Sequence, residues 1–316
     1  MLMKHYVEDS EGKFRFDYSI PFLRWALSPP GGYKEWIVGV GHDGSDKLFG
    51  FISAIPVHMV VNNKKITMAE VNFLCVHKKL RTLRLAPTLI KEVTRRINLC
   101  NIWQAVYTSG TTLPTPFSSA QYWHRNLNPA KLVDVRFAFK PTGQPMATFI
   151  KMHKLPAEMG TEGIRQMEPK DVQKVTTALN KHLYDNYKVH ITFSEEEVAH
   201  FFLPKNGVIH SMLVEGDQGE VSDFVSFYAL NSSILGHDKY DKLYAAYAFY
   251  NFTDSGQPER LKQLIRDALI LAKNKEFDVF NMTQVLKHKW VTGELLFKPG
   301  DGILAHYLYN WRIRTI

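Results

Sequence analysis

Val71-Asn72-Phe73-Leu74-Cys75-Val76-His77-Lys78-Lys79-Leu80-Arg81-Thr82-Leu83-Arg84-Leu85-Ala86-Pro87 is the stretch around which the chain is organised. It opens as an apolar, β-branched run, which reads as a buried strand. A basic loop follows, with His77, Lys78, Lys79, Arg81 and Arg84. Pro87 then takes the place of a first helical residue. Beyond it Leu89, Ile90, Val93 and Ile97 recur at helical spacing, with Lys91, Glu92, Arg95 and Arg96 on the other face. Strand, cationic loop and helix N-terminus together suit a phosphate: backbone N–H groups and the helix dipole face an anion, and Arg and Lys add full charges. An ordinary strand–loop–helix connection with a solvated basic loop is the competing reading.

Composition sets the class. The chain has 316 residues, 45% hydrophobic and 22% charged, enough for two packed units of a globular protein. Its net charge of +8 suits nucleic acid, an anionic membrane or a polyphosphate cofactor. No RNA-binding or zinc-finger pattern supports the first. The two cysteines, Cys75 and Cys100, form neither a disulfide framework nor a zinc spacing. No signal peptide and no apolar run of membrane-spanning length is visible, so a cytoplasmic protein without an integral span is expected.

Before the organising stretch, Trp36 to Gly41 and Leu48 to Ile55 read as a hairpin across Asp43-Gly44-Ser45-Asp46. Gly39-x-Gly41-x-x-Gly44 matches the dinucleotide fingerprint formally, but a strand follows where the fingerprint needs a helix. Asn62-Asn63-Lys64-Lys65 is a second turn. After the helix comes the strand-like run Trp103 to Thr108. Strand, loop, helix, strand is the order that GCN5-related N-acetyltransferases use to hold coenzyme A. Arg81-x-x-Arg84-x-Ala86 fits their R/Q-x-x-G-x-G/A loop, except that Arg84 occupies the central Gly position. Later, Ser194 to Glu197 reads as a capping box, and Leu261, Leu264, Ile265, Ala268 and Ala272 mark a helix from Pro258 to about Lys275. With Lys242 to Phe252 before it and Phe277 to Asn281 after it, that helix makes a second strand–helix–strand unit, lacking the basic loop. His124, between aromatic and basic neighbours, reads either as a general base or as a packed, hydrogen-bonded side chain. No H-E-x-x-H or G-x-S-x-G occurs, which removes zinc-hydrolase and nucleophilic-serine readings.

The organising stretch resembles the signature of the N-myristoyltransferases (glycylpeptide N-tetradecanoyltransferases), close to E-I-N-F-L-C-V-H-K-K-L-R-S-K-R-L-A-P. Further likeness lies in Tyr6-Val7-Glu8-Asp9, Phe14 to Tyr18, Trp25-Ala26-Leu27, Tyr122 to Arg125, Asp278 to Asn281 and Gly300-Asp301-Gly302. The resemblance implies an α/β fold of two acetyltransferase-like mixed halves with pseudo-two-fold symmetry, residues 1–155 and 163–316. It implies transfer of a myristoyl group from myristoyl-CoA, a co-substrate, to an N-terminal glycine amine of peptides and nascent proteins. No prosthetic group, no metal and no nucleic acid is expected, and the protein is expected to be a monomer.

Residue by residue, the resemblance places oxyanion donors at the backbone N–H groups of Phe73 and Leu74, and an amine contact at Thr108. It places the acyl-CoA against Phe73, Leu74, Cys75, Val76, Arg81, Thr82, Leu83, Arg84, Leu85 and Ala86. It places the peptide against Tyr6, Val7, Glu8, Asp9, Phe14, Arg15, Phe16, Tyr18, Tyr122, His124, Ser232, Tyr247, Asp301, Gly302 and Leu304. Leu83 stands where the family's loop has Lys, and Ser10 where it has an acid. The family's N-terminal aromatic cover and its re-entrant C-terminal carboxylate have no counterpart between Met1 and Ile316, so weak or absent turnover is expected. The alternatives are a non-catalytic acyl-CoA or peptide binder, and a short-chain N-acetyltransferase.

Overall fold

The computed structural model describes residues 1–9, 11–44, 46–285 and 288–313. Ser10, Ser45 and Ile316, named above, lie outside the described residues. The fold is mixed α/β, in two compact units. The first comprises Met1–Ser119, Leu183–His200 and Ile303–Ile316, the second Ala120–His182 and Phe201–Gly302. The chain therefore changes unit at Ser119/Ala120 and twice returns, a different division from contiguous halves meeting at 155–163.

In the first unit, β1 (Ile37–Gly41), β2 (Leu48–Val61) and β3 (Lys64–Val76) run antiparallel in that order. Asn62 and Asn63, at φ 47° and 66°, make the left-handed two-residue turn between β2 and β3. Helix α1 (Leu85–Leu99) crosses over to β4 (Ala105–Ser109), which lies parallel to β3. The end of the strand Lys298–Tyr309 then pairs antiparallel with β4. Leu89, Val93 and Ile97 of α1 pack on Trp36, Ile52, Ala69 and Ala105. Each such apolar side chain contributes about 1.5–3 kcal/mol when fully buried, which fixes which face of the sheet the helix covers.

The second unit orders β5 (Ser118–Asn126), β6 (Ile209–Glu215), β7 (Val221–Ala229), β8 (Ala245–Thr253) and β9 (Val279–Thr283) as β5-β9-β8-β7-β6. Here β8 and β9 are parallel, joined by the helix α2 (Pro258–Asn274), and the other neighbours are antiparallel. Leu261, Leu264, Ile265, Ala268 and Ala272 of α2 are all buried, against Phe227, Ala246 and Phe280. Both expected strand–helix–strand units are thus present. The capping box also forms: Glu197 N–H donates to Ser194 Oγ (3.2 Å) and Ser194 N–H to Glu197 Oε2 (2.8 Å). No described helix is long and apolar enough to cross a membrane.

Candidate functional site

The site begins with a defect in the β2–β3 ladder. Phe51 pairs with Cys75, but Ser53 pairs with Asn72, so β3 carries one extra residue around Phe73 and Leu74. Phe73 sits at φ 60°, which costs an L-residue roughly 1–2 kcal/mol. A bulge of this kind takes backbone groups out of the ladder and re-aims them. The Phe73 backbone amide meets the Tyr6 hydroxyl, and burial pushes the Tyr6 phenol up to about 12. The rings of Tyr6 and Tyr18 lie 5.9 and 5.3 Å from that of Phe73. Beyond this point β3 and β4 part company. Their parallel register stops at Val71↔Tyr107, although both strands continue. The bulge therefore stands at the mouth of a gap between diverging strands.

Past the bulge, Cys75 and Val76 are buried, and burial raises the Cys75 thiol, which argues against a reactive thiolate. The basic loop is a 3₁₀ turn, Lys78–Leu83, begun by Lys79 N–H donating to His77 Nδ1 (3.2 Å). It ends at Arg84, which is left-handed at φ 55°. Arg84 thus adopts the backbone that the acetyltransferase pattern assigns to glycine. The helix begins at Leu85, two residues earlier than Pro87 suggested. Pro87 fits the first turn because N–H groups there have no helical acceptor. No side chain caps this N-terminus, and Arg81, Thr82, Leu83 and Arg84 are exposed beside it, with Leu85 and Ala86 half-buried. Arg81 Nη2 donates to the His5 carbonyl (2.8 Å), which holds its arm against the loop.

The acidic cluster is largely used within the chain. Glu8 accepts from Lys78 Nζ (2.6 and 2.7 Å) and from Arg15 Nε (2.5 Å), and Lys78 first, then Arg15, hold its carboxyl below the usual range. Asp9 accepts from the Phe14 and Glu11 N–H groups (2.7 and 3.3 Å), closing the turn. Val7 is exposed, and Phe16 stacks edge-on to Tyr18 at 5.8 Å. Thr108 is exposed, and Leu304 is half-buried.

In the second unit, β5 carries Tyr122 and His124. The Tyr122 ring stands perpendicular to that of Tyr247 at 6.1 Å, and burial pushes its phenol up to about 12. His124 Nδ1 lies 2.6 Å from Asn281 Oδ1, and burial lowers its pKa against the opposing pull of Asn281 and Asp301. With an amide as its partner, His124 is the packed, hydrogen-bonded histidine of the second reading. A Cβ at residue 300 would overlap the His124 ring, so Gly300 leaves that ring its place, and one at Gly302 would touch the Tyr122 ring at 3.4 Å. Tyr122, His124, Tyr247, Asp301 and Gly302 are thus brought together. Ser232 is buried opposite Leu243.

Two residues escaped the reading of the sequence: Glu70 on β3 just before the bulge, and His306 on the strand that pairs with the far edge of β4. Glu70 Oε1 accepts from Asn72 Nδ2 (3.0 Å), and burial raises the Glu70 carboxyl. His306 pairs across strands with Thr108. An acid inside an apolar strand was the available signal for Glu70; nothing local marks His306. Among the described residues no group of three His, Cys, Asp or Glu could hold a metal ion.

Comparison with known proteins matches these features to one family. The description "Myristoyl-CoA:protein N-myristoyltransferase" applies to two family models, the N-terminal domain over residues 1–120 and the C-terminal domain over 134–316. Glycylpeptide N-tetradecanoyltransferase 1 of Arabidopsis thaliana is 50% identical over 316 residues, all of this chain and 72% of that protein. The Plasmodium falciparum glycylpeptide N-tetradecanoyltransferase is 48% identical over 312 residues, 99% of this chain and 75% of that one. The crystal structure of Saccharomyces cerevisiae N-myristoyltransferase with bound myristoyl-CoA superposes with a TM-score of 0.93 at 41% identity, covering 99% of this chain and 75% of that chain. Two family models in sequence order, relatives about half identical along almost the whole chain and the shared fold establish that this chain belongs to the N-myristoyltransferase family.

Proposed function

We propose that this chain transfers a myristoyl group from myristoyl-CoA to the α-amine of an N-terminal glycine on a peptide or nascent protein. The observation that carries the proposal is the bulge at Phe73–Leu74, set beside an uncapped helix N-terminus flanked by exposed Arg81 and Arg84. CoA phosphates would lie on that N-terminus, against Arg81, Thr82, Leu83, Arg84, Leu85 and Ala86. The thioester oxygen would take the Phe73 and Leu74 N–H groups, displacing the Tyr6 hydroxyl from the former. The amine nitrogen attacks the thioester carbon, the oxyanion is held by the two amides, and the CoA thiolate leaves and takes a proton. One such preorganised donor is worth about 3 kcal/mol to the transition state. No covalent acyl-enzyme is needed, which agrees with a buried Cys75 of raised pKa.

Thr108 would hold the amine. Peptide contacts fall, in the first unit, to Tyr6, Val7, Asp9, Phe14, Phe16, Tyr18 and Leu304, and in the second to Tyr122, His124, Ser232, Tyr247, Asp301 and Gly302. Glu8 and Arg15, paired to each other, shape the loop that carries them. We place the protein in the cytoplasm as a monomer, acting without nucleic acid, metal or prosthetic group. The relatives' designation as glycylpeptide N-tetradecanoyltransferases favours a tetradecanoyl donor over a short acyl chain, and transfer over mere binding. Incubation with labelled myristoyl-CoA and a glycine peptide should yield myristoyl-peptide, and acetylating the peptide amine should abolish it. Acetyl-CoA used in preference, or binding of both substrates with no product, would overturn the proposal.

A further inference from the structure

Two imidazoles meet where the first residues of the chain cross the basic loop. His5 closes the short helix Leu2–His5, and His77 opens the turn Lys78–Leu83. Their ring centroids lie 4.1 Å apart, with the planes tilted by 38°. The contact sits between two bonds that hold the loop. Lys79 N–H donates to His77 Nδ1 (3.2 Å), and Arg81 Nη2 donates to the His5 carbonyl (2.8 Å). The His77 N–H donates in turn to the Phe49 carbonyl (2.8 Å), which seats the pair beside the end of the β2–β3 ladder. Neither histidine has a part in the transfer step.

We infer that His5 and His77 are a positioning pair for the phosphate loop, keeping Arg81 docked while both rings are neutral and releasing it when they are charged. The inference rests on the reading of that loop as the CoA phosphate site. Its basis is what an added ring hydrogen does at each nitrogen. An imidazolium carries hydrogen on both nitrogens and accepts at neither. Charging His77 therefore removes the acceptor of the Lys79 N–H, the bond that starts the turn. His5 Nδ1 is buried and has no partner among the described residues. Charging His5 places a donor there with nothing to receive it. Two charged rings at 4.1 Å also repel each other, and docking is what brings them together.

The charges around the pair are mostly positive. Lys78, Lys79 and Arg81 come from the turn, Arg15 from the strand Phe14–Asp17, and Lys4 and the Met1 amino group from the segment that carries His5. The negative groups on the same elements are Glu8, taken up by Lys78 and Arg15, Asp17 at the end of its strand, and Glu70 of β3, hydrogen-bonded to Asn72. Tyr6, pushed up to about 12, and Cys75, raised by burial, stay neutral, and β2 contributes the Phe49 ring 6.1 Å from His77. Burial first, then His77, the Met1 amino group, Lys78 and Arg15, lower the His5 pKa. With its docked value lowered, His5 favours docking fully above about pH 6.5 and loses that contribution as pH falls through the docked value. Arg81 then loses its anchor. An arm ordered in advance spares the ligand that cost, which is roughly two- to tenfold in affinity for a side chain of this length.

The test compares the unsubstituted chain with His5→Asn/His77→Asn, whose amides can still accept at the start of the turn but cannot be charged. Calorimetry reads CoA affinity at about pH 8 and about pH 5.5. Hydrogen exchange, corrected for the intrinsic rate at each pH, reads protection of the Tyr6 and Lys79 amides, which are bonded to the Leu2 carbonyl and to His77. We expect the two proteins to bind CoA alike at the higher pH. On going to the lower pH the unsubstituted chain should lose roughly two- to tenfold more affinity than the variant, and both of its amides should lose protection in step. The ionisation of CoA itself is common to both proteins and cancels in that comparison. If the double variant melts early, His5→Asn alone, which leaves the Lys79 bond untouched, takes its place. Affinities that fall in parallel, or amide protection in the unsubstituted chain that ignores pH, overturn the inference and leave the phosphate site in place. CoA that binds neither protein at either pH overturns the phosphate site, and amide exchange then decides the histidine pair by itself.

Discussion

Arg84 offers a test in which stability and ligand affinity should move in opposite directions. Its φ of 55° costs an L-residue roughly 1–2 kcal/mol, whereas glycine adopts it freely. Glycine adds up to about 1 kcal/mol of unfolded-state entropy, and no side-chain cap is lost because Arg84 makes none. Arg84→Gly should therefore leave stability unchanged or raise it by about 1 kcal/mol. For the CoA phosphates the same change removes a charged donor. A hydrogen bond to a charged group is worth about 1.5–3 kcal/mol, discounted to about 1 at an exposed site such as this. That is a five- to tenfold loss in affinity, and Arg81→Ala with Arg84→Gly should approach about 30-fold. The effect should shrink as salt screens the exposed charges. Isothermal calorimetry with CoA at low and high salt, beside a thermal melt, reads both quantities. Unchanged CoA affinity in the double variant would move the phosphate site elsewhere. A fall in melting temperature with Arg84→Gly would show that the left-handed cap is not a source of strain.

Two further outcomes are expected. Asp278 accepts from Lys131 Nζ (2.6 Å), Asn128 Nδ2 (2.9 Å) and Tyr244 N–H (2.9 Å), all near the buried start of β9. Asp278→Ala strands a buried ammonium and should cost about 3–5 kcal/mol, or roughly 10 °C in a calorimetric melt, with much of the loss recovered in Lys131→Met/Asp278→Leu; a shift of under about 2 °C would show that the network is not stabilising. His210 packs 5.0 Å from Phe227, and burial lowers its pKa to about 4. As a base with a lowered folded pKa, it contributes stability above its unfolded value of about 6.5 that is lost as pH falls through 4. His210→Phe should flatten stability between pH 6.5 and 4, as read by urea unfolding, and an unchanged slope there would reject the assignment.

Some of this was decided locally and could be read from the chain alone. The apolar run before His77, the basic loop and the spacing of Leu89, Val93 and Ile97 dictate strand, turn and helix, because propensity and periodicity act over a few residues. The same holds for the Asn62-Asn63 turn, the Ser194–Glu197 box and the buried stripe of α2. Tertiary structure decided the rest. That Asn72 rather than Phe73 faces Ser53, and hence that Phe73 is left-handed with its amide out of the ladder, depends on the register of β2 against β3. That Glu8 is taken up by Lys78, seventy residues away, depends on a loop folding onto a loop. Thr108 meets His306 because a strand almost two hundred residues later closes on β4. Register and long-range pairing are set by the packing of whole faces, in which each residue's partner is chosen by the sum of its neighbours' burial, so no local pattern encodes them.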